Sequence, residues 1–212
     1  GLHREAGLDI VLDARIEEIR SEDGVVTELV VNGIAEPVEL LVVGIGAEPN
    51  IELAEQAGLA CDNGIVVDER MRTEDPAILA IGDCTSFPRG GARMRLESVQ
   101  NANDQARTAA ATAMGRDEPY GASPWFWTEQ GSMRLQIAGL VPADSAGVLR
   151  PGKSPEHFSV LHFADDGRLV AVESVNSPGE HMMARKLVSA GLRPDPARMA
   201  DPAVSLKEFL PA

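Results

Sequence analysis

Residues 78–83, Ile-Leu-Ala-Ile-Gly-Asp, form an apolar run with no alternation that stops at a carboxylate. A run of this kind has no polar face, so it reads as a strand buried on both sides, the mark of a parallel sheet covered by helices. Parallel neighbours need crossovers of a dozen residues or more, and a helix fits after this strand. Residues 98–114 put Val99, Ala102, Ala106, Ala109 and Ala113 on one stripe, with Ser98 as cap and Gly115 as stop. Small residues along that stripe are expected to let the helix pack closely on the sheet.

Upstream, residues 2–6 read as the last turn of a helix ended by Gly7, with a short strand over 8–12. This is the second half of a βαβ unit, so the chain is expected to begin inside a domain. Residues 15–43 alternate as an antiparallel meander with strands over 15–20, 25–31 and 36–43, turned at 21–24 and at Asn32-Gly33. The third strand runs through Val42-Val43 into the glycine-rich turn Gly44-Ile45-Gly46-Ala47-Glu48-Pro49-Asn50, a crossover between domains. A short helix over 51–58 and a strand over 65–68 follow. After Pro119 the composition changes, and strands are expected over 125–130, 134–140, 157–163 and 168–175. A helix then opens at Ser177-Pro178 and ends at Gly191, which makes the tail a small α+β unit.

Composition narrows the function classes. A net charge of −14 argues against broad binding to nucleic acid or an anionic membrane, though a local basic patch at Arg89, Arg93 and Arg95 stays open. No apolar stretch is long enough for a transmembrane helix, and no secretory signal is recognisable, so a cytoplasmic location is expected. Cys61 and Cys84 are too far apart for a CxxC pair. The four histidines show no metal spacing, no metal site is expected, and His181 is expected to be solvated.

Two places can carry chemistry. Asp83 stands where ligands of parallel sheets bind, outside the carboxyl end of a strand, and could accept from sugar-like hydroxyls; carboxylates in such positions are also common turn caps. The helix N-terminus at Val99 offers free N–H groups to an anion or a developing negative charge, or is simply the start of a core helix. Together they could hold a flavin. Trp125 and Trp127 are two of only eight aromatic residues. Two residues apart on a strand, they are expected to face opposite sides, so that one alone reaches a cofactor; pattern by itself favours core packing for both.

These residues fall in blocks that resemble a known family. The blocks are Val42-Val43-Gly44-Ile45-Gly46-Ala47-Glu48-Pro49-Asn50, Asn63-Gly64-Ile65-Val66-Val67-Asp68, Arg72-Thr73 with Asp75-Pro76, and Ala80-Ile81-Gly82-Asp83-Cys84. They continue in Arg95-Leu96-Glu97-Ser98-Val99-Gln100-Asn101-Ala102, Asp104-Gln105-Ala106-Arg107 and Pro124-Trp125-Phe126-Trp127-Thr128-Glu129-Gln130. The sequence resembles the FAD-dependent, NAD(P)H-using ferredoxin reductases of the glutathione-reductase structural class. The resemblance implies an α/β plus α+β chain, a partial two-dinucleotide-binding-domain flavoprotein fold. Its parts would be the end of the NAD(P)H domain over 1–46, the second FAD-domain segment over 47–118 and an α+β interface domain over 119–212.

By the same resemblance Asp83 holds the ribityl chain and Val99 presents its backbone to the flavin ring. Trp127 is the catalytic aromatic beside the isoalloxazine, near the nicotinamide and the electron exit. Glu97 and Ser98 share the helix motif, and Gly44 and Gly46 the glycine-rich turn, as cofactor-binding residues. The implied activity passes electrons from NAD(P)H through FAD to an iron–sulfur ferredoxin serving an oxygenase. Departures point to a C-terminal half: neither family GxGxxG fingerprint is present, and Pro49 stands where a third glycine would. Thr128-Glu129 also replaces the usual Ser-Asp. Two other readings stay open, a noncatalytic folding or dimerisation module and an apoptosis-inducing-factor-like flavoprotein, and unpaired sheet edges leave a homodimer open.

Overall fold

Asp23-Gly24 and Asn32-Gly33 each reverse the chain in two residues, and all four have positive φ, 50° and 80° in the first pair and 51° and 79° in the second. This is the type I′ geometry that matches the twist of paired strands. In the computed structural model, which describes residues 2–211, these turns join β1 (Ile16–Glu22), β2 (Val25–Val31) and β3 (Ile34–Pro37) into an antiparallel sheet in that order. A one-turn helix α1 (Leu2–Glu5) precedes them. The chain divides into two units between Glu48 and Pro49, and this sheet belongs to the first.

Two strands expected in this unit do not form. Residues 8–12 pair with no strand, and β3 stops at Pro37, beyond which only Val38 N–H still bonds to the Thr27 carbonyl of β2. Leu12, Leu40, Val42 and Val43 are exposed by 74%, 78%, 82% and 64%. Apolar segments of this kind become strands only where neighbouring backbone completes a ladder, and beyond Val38 no ladder forms beside them among the described residues.

The second unit opens with α2 (Glu52–Gln56) and a small sheet of β4 (Ile65–Val66), β5 (Thr85–Arg89) and β6 (Ala92–Met94). β4 and β5 are parallel, and a Cβ on Gly64 would stand 2.8 Å from the Cys84 carbonyl, so only glycine lets the two approach. The strand expected over 78–83 is absent. Leu79 makes a single bridge to Arg72, Ile78 and Ile81 are 37% and 41% exposed, and pairing begins only at Thr85. A strand buried on both faces requires a ladder on each side, and one bridge does not supply it.

Helix α3 (Val99–Ala113) forms as expected, with the Ser98 hydroxyl accepting from Asn101 N–H. Its buried side overlaps the alanine stripe fully only at Ala109, with Ala102 and Ala106 half-buried. Gln100, Asn101, Gln105, Ala109 and Ala111 are buried, whereas Val99 is 64% exposed. The amides face inward because each meets a backbone group or hydroxyl there. Ala109 packs with Val67, Met71 and Phe87 in a small core, where the Tyr120 ring meets Phe87 edge-on at 5.3 Å.

The tail is an antiparallel sheet in the order β7 (Trp125–Gln130), β8 (Met133–Gly139), β11 (Leu169–Val175), β10 (Phe158–Phe163) and β9 (Val148–Pro151). Helix α4 (Pro178–Ser189) packs on β8 and β11, and Leu161, Leu169, Val172, Ala184 and Leu187 form the core between them. His181, expected in solvent, is 3% exposed on the buried side of α4, because helical spacing puts it on the same face as Ala184 and Leu187. Strand β9, helix α5 (Pro196–Ala200) and a 3-10 helix (Leu206–Phe209) had no periodic signal, and a buried side chain of β9 ties that strand to α5 and the residues just after it. Arg150 donates to the carbonyls of Met199, Asp201 and Val204 at 2.8, 2.6 and 3.0 Å and pairs with Glu180.

Candidate functional site

The second unit holds five of the seven expected site residues: Asp83 on a turn, Glu97, Ser98 and Val99 at the start of α3, and Trp127 on β7. Gly82 takes φ +85°, and a Cβ there would lie 3.9 Å from Ala102 on the first turns of α3. Its N–H donates to Gln105 Oε1 at 2.6 Å, which pins the turn to the helix. Asp83 follows at the exposed end of that turn, and among the described residues its carboxylate takes no hydrogen bond or ion pair. Arg95 ties the turn to the residues before α3: it reaches the Asp83 carbonyl and Asn63 Oδ1, both at 3.3 Å, and pairs with Glu97.

Ser98 caps α3 through Asn101, so the N–H groups of Val99 and Gln100 stay open among the described residues. They carry the positive end of a helix of 15 residues. Val99 and Gln100 line a cavity of about 410 Å³ with Trp125, Trp127, Asp104 and Arg185. A second hollow of about 220 Å³ lies beside Glu97, Ser98, Trp125 and Phe126. One helix start therefore meets two cavities and an aromatic wall.

The two tryptophans do not face opposite sides. Their rings stack at 5.3 Å with planes 26° apart, and both line the same cavity. Side chains alternate along a strand, so positions i and i+2 share a face, and the expectation of opposed rings misapplied that period. The Arg185 guanidinium lies 4.4 Å above the Trp125 ring, a cation–π contact from α4 that no motif announced. Trp127 is 38% exposed at the edge of the stack.

Arg89, Arg93 and Arg95 do not form a free basic patch. Arg89 donates to the Ala122 carbonyl at 2.8 Å, Arg93 to the Val67 carbonyl at 2.9 Å, and Arg95 holds the Asp83 turn. Gly44 and Gly46 lie in the first unit, in a segment without strand pairing where Gly46 has φ +107°. Among the described residues there is no group of three or more His, Cys, Asp or Glu able to hold a metal, and no helix is long and apolar enough to cross a membrane.

Sequence reasoning missed the amides of α3. Asn101 donates to the Leu96 carbonyl at 3.0 Å and accepts from the Tyr120 hydroxyl at 2.8 Å; Gln100 accepts from Trp125 N–H at 3.0 Å. Their spacing on one helix face was visible, but polar residues on a helix ordinarily signal the solvent side.

Comparison with known proteins agrees with this architecture. The pyridine nucleotide-disulphide oxidoreductase model matches residues 1–106, and the reductase C-terminal model matches 125–210. Rhodocoxin reductase of Rhodococcus erythropolis is 44% identical over 97% of the chain and 48% of its own length. Putidaredoxin reductase of Pseudomonas putida is 38% identical over 100% of the chain and 51% of its own. A crystal structure of a ferredoxin reductase from Rhodopseudomonas palustris superposes with TM-score 0.91 at 40% identity, covering 98% of the chain and 52% of that structure. The chain spans about half the length of the curated relatives it matches.

Fold and site define the class: part of a two-dinucleotide-binding-domain flavoprotein fold, followed by a small α+β domain. Within that class the chain belongs to the pyridine nucleotide-disulphide oxidoreductase family.

Proposed function

We propose that the chain supplies the flavin-ring side of a reductase that moves electrons from NAD(P)H through FAD to an iron–sulfur ferredoxin of an oxygenase system. The three-part partition at 1–46, 47–118 and 119–212 is the organisation that goes with this reading. The observation that carries it is the union on α3 of a carboxylate-bearing turn, an open helix N-terminus and a tryptophan-walled cavity. Each fits one part of the cofactor. The Asp83 carboxylate is free to accept from ribityl hydroxyls, and the Val99 and Gln100 N–H groups suit the pyrimidine oxygen where reduction places negative charge. Trp127 offers an aromatic face at the cavity rim.

When bound, the flavin converts hydride transfer into single-electron steps. The chain's own residues orient and shield it: Arg95 and Gln105 hold the Asp83 turn, Ser98 keeps the first N–H groups clear, and the tryptophan pair excludes water from one wall. The ferredoxin partner is supported by similarity to a putidaredoxin reductase solved in covalent complex with putidaredoxin, 37% identical to this chain. An acidic ferredoxin would meet Arg185, which lies over Trp125 and lines the same cavity as Trp127, since the three arginines of the 89–95 region are engaged on backbone carbonyls. The cytoplasm is the compartment this electron transfer implies.

The test is Asp83→Ala in the complete reductase. Losing a charge-assisted hydrogen bond worth about 1.5–3 kcal/mol is expected to raise the dissociation constant for FAD at least tenfold, read by flavin content after dialysis. Equal flavin content in variant and wild type would remove Asp83 from the site.

A further inference from the structure

Two glutamines on the buried side of α3 grip backbone on opposite sides of the candidate site. Gln105 is fully buried, and its Oε1 accepts from Gly82 N–H at 2.6 Å and stands 3.0 Å from Thr85 Oγ. Gln100 is 7% exposed, and its Oε1 accepts from Trp125 N–H at 3.0 Å. Both backbone groups are donors, so the carbonyl end of each amide must face them. At Gln105 this leaves Nε2 buried without a partner among the described residues. An unsatisfied buried amide is unfavourable, and methionine would fill the same space without one, so packing alone does not account for glutamine here.

We propose that Gln105 and Gln100 are positioning residues that register the two sides of the flavin site on one helix, Gln105 through the Gly82-Asp83 turn and Gln100 through the head of the Trp125–Gln130 strand. The proposal rests on the flavin-site reading above. Asp83 follows Gly82 directly, so any drift of the Gly82 amide carries the carboxylate with it. Trp127 stands two residues beyond Trp125 on the same face and stacks on its ring, so a shift at the Trp125 amide reaches the cavity wall. Because both anchors come from α3, the carboxylate and the aromatic wall keep a fixed relation to the open N–H groups at its start.

Double-mutant cycles in the complete reductase test this, with FAD release and ferredoxin reduction followed by stopped flow. Q105M is expected to release FAD about tenfold faster than wild type, and the D83A/Q105M pair no faster than D83A alone. Q100M is expected to reduce ferredoxin about tenfold more slowly than wild type, with no added loss in the W127A/Q100M pair. Additive effects in either cycle, at matched thermal stability, would overturn the role of that glutamine. If a methionine variant does not fold, Q105N or Q100N makes the same comparison, since asparagine keeps the amide and withdraws it by one methylene. Should D83A and W127A alone behave as wild type, the flavin-site reading fails and this proposal falls with it. If they lose function while the cycles are additive, only the glutamine roles fail.

Discussion

His181 sits on the buried side of α4, and neither ring nitrogen has a hydrogen-bond partner among the described residues. Burial first, then the charges of Arg185 and Arg134, lower its pKa from 6.5 to about 4. The unfolded chain therefore takes up a proton that the folded chain refuses. Stability from this group is complete above about pH 6.5 and drains as pH falls to 4, by on the order of 2–3 kcal/mol. His181→Leu is expected to remove that part of the acid sensitivity, because it deletes two unsatisfied polar atoms and keeps the bulk. Urea midpoints at pH 7 and pH 4.5 measure it, and identical pH dependence in the two proteins would show that the imidazole is not the group responsible.

At the scale of elements, β7 presents Trp125 and Trp127 as a stacked pair, with Arg185 of α4 on the outer face of Trp125. Rings this close couple electronically, so the near-ultraviolet circular dichroism of the chain should contain a signal belonging to the pair. Trp125→Phe and Trp127→Phe are each expected to abolish that shared signal rather than halve it. Spectra of the two variants that sum to the wild type would mean the rings are independent. The same pairing explains why an argument from one tryptophan at a time fails: removing either ring alters the wall on which the other rests.

The whole molecule carries unpaired apolar backbone in both units. Val11, Leu40, Val42 and Ile45 are exposed by 59%, 78%, 82% and 89% in the first, and Ile81 by 41% in the second. Such segments are templates for pairing with further strands. The 212-residue chain, purified alone, is expected to self-associate with rising concentration and to release FAD on gel filtration. The reason for weak retention is that the pyrophosphate ordinarily sits on a glycine-rich turn at a helix start, and neither GxGxxG fingerprint occurs here. Light scattering and FAD titration check both points. A monomer that keeps stoichiometric flavin would contradict them.

Local chemistry was legible in the sequence. Asp-Gly and Asn-Gly specified both type I′ hairpins, Ser98 specified the start of α3, and alternation gave four of the five tail strands, because turns, caps and half-buried strands depend on neighbours a few residues away. The blocks around Asp83, Val99 and Trp127 likewise pointed to the family the comparisons show. Tertiary structure decided the rest. Residues 8–12, 38–43 and 78–83 have the apolar composition of strands, but a strand exists only where another backbone completes its ladder, and no ladder forms along these segments beyond isolated bonds such as Val38 N–H to the Thr27 carbonyl and the Arg72–Leu79 bridge. The buried amides of α3, the orphaned His181 and the Arg150 hub look polar in sequence. Their inward placement depends on carbonyls, N–H groups and a hydroxyl supplied from 19 to 54 residues away along the chain, or, for His181, on the sheet that α4 covers. No local pattern records those distances, because only the folded chain brings the partners together.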